Sequence, residues 1–108
     1  SVEKWVRGRF SGTYTQIDNL KFFKSTGVLP AGVAIKAGVN APYSTPVSTP
    51  SSVATADVPT SLGAALIPAS PGVSPAFSGY ITMQLQAQAL APSGAVPTQT
   101  FELQYDEI

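Results

Sequence analysis

Along the last third of the chain, apolar and polar residues alternate one for one. Ile81, Met83, Leu85, Ala87 and Ala89 are separated by Thr82, Gln84, Gln86 and Gln88, and Phe101, Leu103 and Tyr105 by Glu102 and Gln104. A period of two places one set on a buried face and the other in water, which predicts two half-buried strands over 79–90 and 98–108. Both runs are longer than a usual strand. The link 91–97 carries Pro92, Gly94 and Pro97. The two runs are therefore expected to form a hairpin with a longish loop, the spine of an antiparallel sheet.

The same period recurs earlier. Residues 1–14 read as a strand with Val6, Gly8, Phe10, Gly12 and Tyr14 on one parity and Trp5, Arg7 and Arg9 on the other. Glycines four apart on one face predict strong curvature or the crossing of another element. Residues 16–19 read as a turn or short link, because Asp18 and Asn19 favour local side-chain bonds to backbone. A short strand follows over 20–24 with Leu20 and Phe22 inward, ending at 25–27. Val33, Ile35, Ala37 and Val39 then mark another half-buried strand, entered through Leu29, Pro30, Ala31 and Gly32.

Between 40 and 78 the pattern changes. Seven of the ten prolines lie there among many Ser, Thr and Ala residues, so no long central strand fits. One reading is an extended segment crossing the body, with short edge pieces at 43–47 and 53–58 and a helical turn or loop at 61–67. The other is an arm lying on a neighbouring subunit. Val53, Val58, Leu62, Leu66, Ile67 and Phe77 are too many apolar anchors for a spacer. The whole predicts one all-β domain over 1–108, an antiparallel β-sandwich or jelly-roll-like fold with a Pro/Ser/Thr/Ala-rich extended middle.

Composition narrows the chemistry. Cysteine and histidine are both absent. That removes disulfides, thiolate metal sites, the commonest metal ligand and the usual general base. Asp106 and Glu107 are adjacent and point to opposite faces of a strand, so they make no catalytic pair. Glu102 and Asp106 share a face and could contribute to a calcium site, but no acidic Gly-containing loop accompanies them. No nucleophile elbow or phosphate loop is present. No catalytic residue, metal ligand or cofactor is expected, and the chain reads as non-enzymatic.

Only 11% of residues are charged and the formal net charge is zero, leaving little repulsion to keep copies apart. All six basic residues lie in 1–36 with Glu3 and Asp18, while Asp57, Glu102, Asp106 and Glu107 lie beyond. This predicts that the first strand pairs with the last, Arg7 or Arg9 facing Glu102 or Asp106. The alternative is a basic side of one copy meeting an acidic side of the next. The basic residues between Lys4 and Arg9 fall on two faces, a poor phosphate track, so nucleic acid is not an expected partner. No run reaches the length of a membrane span. A first residue Ser1 fits removal of an initiator methionine, or a domain cut from a longer protein; the first is the expectation here.

The runs Lys4-Trp5-Val6-Arg7-Gly8, Asn19-Leu20-Lys21-Phe22-Phe23, Tyr80-Ile81-Thr82-Met83-Gln84-Leu85 and Phe101-Glu102-Leu103-Gln104-Tyr105-Asp106-Glu107 together give the chain a loose overall pattern. It resembles the small virion structural proteins of tailed bacteriophages, those that decorate or cement a capsid or sit in the tail. The resemblance implies a homo-oligomer or lattice-bound copy without catalysis. The major capsid protein or other virion proteins would be its partners, and the virion, assembled in the host cytoplasm, its location. The capsid surface is favoured over the tail or baseplate. The expected contact residues are Trp5, Arg7, Arg9, Tyr43 and Phe77, since Trp and Arg are enriched at interface hot spots. A different class, a carbohydrate-binding adhesion module, would use exposed aromatics such as Trp5, Tyr43 or Tyr80 to stack on sugar rings.

Overall fold

The computed structural model describes residues 2–88, 94 and 96–108. It is an all-β molecule whose strands pair antiparallel throughout. They are β1 (Lys4–Val6), β2 (Arg9–Phe10), β3 (Ile17–Thr26), β4 (Val33–Asn40), β5 (Ala56–Asp57), β6 (Ala76–Phe77), β7 (Tyr80–Ala87) and β8 (Thr100–Glu107). Four of them form a sheet in the order β1-β7-β4-β5, while β2 pairs with β6 and β3 with β8.

The expected hairpin is not formed. β7 has β1 on one edge and β4 on the other, and among the described residues β8 pairs only with β3. The two runs belong to opposite layers. Alternation gives the same pattern to strands side by side in a sheet and to strands facing one another across a core, so it could not separate the cases. The end of the first run at Ala89 and Leu90, and most of the connection at 91–97, lie outside the described residues. The pairing of first strand with last fails for the same reason. β1 lies against β7, with Lys4 opposite Met83 and Val6 opposite Ile81.

The main core lies between the four-stranded sheet and the β3–β8 pair. Phe22 packs with Ile35, Ala37, Val58 and Ile81, and Met83, Leu85, Phe101 and Leu103 extend the cluster. Phe22 and Phe101 stack with centroids 5.6 Å apart. A second, smaller cluster of Phe10, Ile17 and Leu20 sits under Tyr14 and Leu103.

The run expected as one strand over 1–14 is broken at Arg7 and Gly8. β1 and β2 join different partners, β7 and β6. Of the two glycines whose spacing predicted a crossing, Gly8 is crowded, since a Cβ there would come within 2.9 Å of the Phe10 ring and 3.0 Å of Leu103, whereas a Cβ on Gly12 would meet nothing within 4 Å. The turn expected at 16–19 is instead the start of β3. Ile17 and Asp18 are already paired with Glu107 and Asp106, and the register shifts between Asp18 and Lys21. Asn19 takes the left-handed conformation there (φ 55°), which Asn tolerates better than most residues. The side chains of Asp18 and Asn19 bond to the side chains of Gln16 and Asp106 rather than to local backbone, and the result is a bulge inside a strand, not a turn.

The Pro-rich segment lies on its own body. Residues 43–47 form no strand, and of 53–58 only Ala56 and Asp57 do, opposite Ala37 and Lys36. Residues 47–54 form a strap across the outer face of β7 and β4, so that a Cβ on Gly38 would overlap the Val53 carbonyl oxygen. The chain then bonds to β4 (Val58 N to Ile35 O, 2.9 Å) and to the free edge of β3 (Lys24 N to Pro59 O, 2.8 Å; Phe22 N to Leu66 O, 2.8 Å). Residues 58–66 thereby close one side of the sandwich. The helical turn read at 61–67 is a single 3-10 turn, Leu62–Ala64.

Candidate functional site

Two features meet at one end of the four-stranded sheet: a buried polar knot and an exposed aromatic patch above it. Both follow from the strap. Thr82 and Gln84, expected in water, are 0% and 2% exposed because residues 47–54 cover them. Gln84 answers with its amide, donating from Nε2 to Thr49 O (2.7 Å) and accepting from Ser51 N (2.8 Å). Ser51 donates its hydroxyl to Glu3 Oε2 and accepts from Ala54 N (2.8 Å) and Val53 N (3.1 Å). Glu3 is buried, and its Oε1 also accepts from Val47 N (3.0 Å) and Trp5 Nε1 (3.1 Å).

A buried carboxylate with three donors is stabilised in its charged form. The Ser51 hydroxyl is the main cause that holds the Glu3 carboxyl below its usual range. Burial pulls the other way, and the Trp5 and Val47 donors add to the lowering. The knot ties the strap to β1 and fixes the indole of Trp5.

Trp5 is then the floor of the patch. Its ring meets Tyr43 edge-on at 5.7 Å and Tyr80 at 5.9 Å, and the two tyrosines are 5.5 Å apart. Arg7 lays its guanidinium over Phe77 at 3.8 Å and over Tyr80 at 4.8 Å. Arg9 sits opposite Phe77 in the β2–β6 pair. Tyr43 is 56% exposed and Phe77 47%, so both rings are reachable from solvent. Among the described residues the only ion pair is Lys36–Asp57, at 2.7 Å, which leaves Arg7 and Arg9 without a carboxylate partner there. The cross-strand pairing expected for them with Glu102 or Asp106 is absent because β8 lies beside β3. Instead Asp106 accepts from Asn19 Nδ2 (2.7 Å) and Glu102 from Gln104 Nε2 (3.3 Å).

The fold thus gathers Trp5, Arg7, Tyr43 and Phe77 around Tyr80, with Arg9 beside them. Sequence reasoning had Tyr80 only as a sugar-stacking aromatic and missed it as the hub. It missed Glu3, Ser51 and Gln84 altogether. Gln84 carried no signal, since a polar residue at alternate strand positions reads as solvated. Among the described residues no three acidic side chains converge into a set that could hold a metal ion.

The arrangement is suited to adhesion. Rings held by one another and by Arg7 lose little further freedom on contact, and aromatic and guanidinium groups contribute most at interfaces. No family model matches the chain, and no curated protein or solved structure matches it significantly.

Proposed function

We propose that this chain is a non-enzymatic structural protein of a virus particle, a capsid decoration (cement) protein held on the capsid lattice by the patch around Tyr80. The observation that carries the reading is the convergence of Trp5, Arg7, Tyr43, Phe77 and Tyr80 into one exposed surface. Around it the exterior is poor in charge, which suits a molecule packed against neighbours. In this role the chain works through shape and stickiness, and many copies bind one repeated surface.

A sugar-binding module is the second reading, favoured by the same exposed rings. Two details weigh against it. The Trp5 N–H is committed to Glu3, and that carboxylate is buried among three protein donors, so neither is left to bond sugar hydroxyls. One face of Phe77 is already covered by Arg7.

The test is the quantitative composition of purified particles. Decoration requires a copy number on the scale of the capsid lattice; a few copies per particle would exclude it and favour a tail or baseplate part. The paired change Arg7→Glu with Tyr43→Ala should leave the fold intact and remove the protein from particles. A glycan array probed with the isolated chain should stay silent, and a reproducible sugar signal lost with Tyr43→Ala would favour the adhesion module.

A further inference from the structure

The two layers of the sandwich are unequal. Four strands on one side face two on the other, and the mismatch leaves part of the inner surface bare. Lys4 and Val6 stand opposite Met83 and Ile81, so they project toward the core side of the sheet. Yet Val6 is 42% exposed, and Lys4 and Val2 are exposed as well. The space before Val2 and Lys4 is a mostly apolar groove of about 410 Å³, with Met83, Leu85, Val96 and Phe101 among its other lining residues.

The groove reaches β8 at Phe101, its second residue. β8 is bonded to β3 along one edge, and along its other edge it meets no strand among the described residues. An unpaired strand edge offers a row of outward N–H and C=O groups. Here that row starts at an apolar groove, at Phe101, with the exposed core-side residues of β1 across from it, which is the arrangement that takes up an added strand: main-chain bonds to the edge, alternate side chains toward the groove and β1. A two-stranded layer has the most to gain from a third.

The charges around the edge select the donor. The outward side chains of β8 are Thr100, Glu102, Gln104 and Asp106, and Asp18 stands across from Asp106 on the β3 side. A second copy pairing its own β8 antiparallel about Gln104 would set Glu102 opposite Asp106 twice over, like charge against like. The basic runs that could complement the edge, 4–9 and 21–24, are already built into β1, β2 and β3. The geometry points to a strand-acceptor site on β8. Its occupant is an extended segment of a different protein, with apolar residues at alternate positions and Lys or Arg between them. This inference does not rest on the aromatic patch, and either could fail alone.

The test uses the full chain and two end-blocked nonapeptides, one alternating Lys with Val and one alternating Glu with Val, followed by nuclear magnetic resonance. The Lys–Val peptide should shift and protect alternate amides of β8 and shift the methyl signal of Met83, with affinity that falls as salt is raised. It should bind about tenfold more tightly than the Glu–Val peptide, as two or three favourable cross-strand pairs would give. Glu102→Lys with Asp106→Lys, both exposed, should leave the spectrum of the fold in place and reverse the preference. Three results would overturn the proposal: neither peptide moves β8; the preference survives the double substitution; or the outward β8 amides are already protected in the free protein. In that last case sedimentation would distinguish cover by the chain itself from cover by a second copy.

Discussion

Glu3 takes three donors inside a strap of mostly uncharged residues, and its protonation state is therefore tied to folding. Its folded-state pKa lies below that of the unfolded chain. The stability this contributes is present above the unfolded value and is lost as pH falls through the folded one. Urea midpoints measured against pH should drop on the acid side, and Glu3→Gln should be weaker at neutral pH and flatter toward acid. Ser51→Ala removes one donor and one shared acceptor from the same knot, and should cost about 1–3 kcal/mol in urea unfolding. Thr82 gives the opposite sign. Its Oγ1 is buried without a hydrogen-bond partner among the described residues. Thr82→Val should therefore raise stability by up to about 1 kcal/mol, seen as a higher melting temperature.

Strands and strap answer to different forces. The alternation in β4 and β7 places Ile35, Ala37 and Ile81 inward as read from the residues, since period two is a property of the backbone alone. Whether the other face meets water is not. On β7 that face is buried by residues 47–54, which proline keeps out of the sheet ladder but not off the sheet. Gly38 lets the strap lie close. Gly38→Ala should lift it, at about 1–3 kcal/mol of overpacking, with faster proteolysis between 47 and 54 as the local readout. The bulge at Asn19 is a similar case. Asn19→Gly should be tolerated, whereas Asn19→Val should destabilise by roughly 1 kcal/mol or more, because a β-branched residue resists positive φ.

Over the whole molecule, the surface residues singled out from the sequence are drawn together by separate paths: β1 and the break after it bring Trp5 and Arg7, β2 brings Arg9, the segment ahead of the strap brings Tyr43, and β6 brings Phe77. Residue type alone suggested Trp5, Arg7, Arg9, Tyr43 and Phe77 as contacts, but nothing in the chain said they were neighbours. The charge asymmetry was equally visible in advance and was placed wrongly. It does not close across β1 and β8; it leaves arginines beside aromatic rings and carboxylates along β8, whose one strand partner among the described residues is β3. What the residues by themselves determined is the all-β class, the core-facing positions in the middle of the long strands and the poverty of reactive groups, because these depend on local period and inventory; Val39 and Tyr105, on the same parity near the strand ends, are exposed. Which strands pair, that the polar face of β7 is dry, and that the aromatics share one patch were decided only in three dimensions. Each depends on contacts between segments far apart in the chain, and alternation carries no record of its partner.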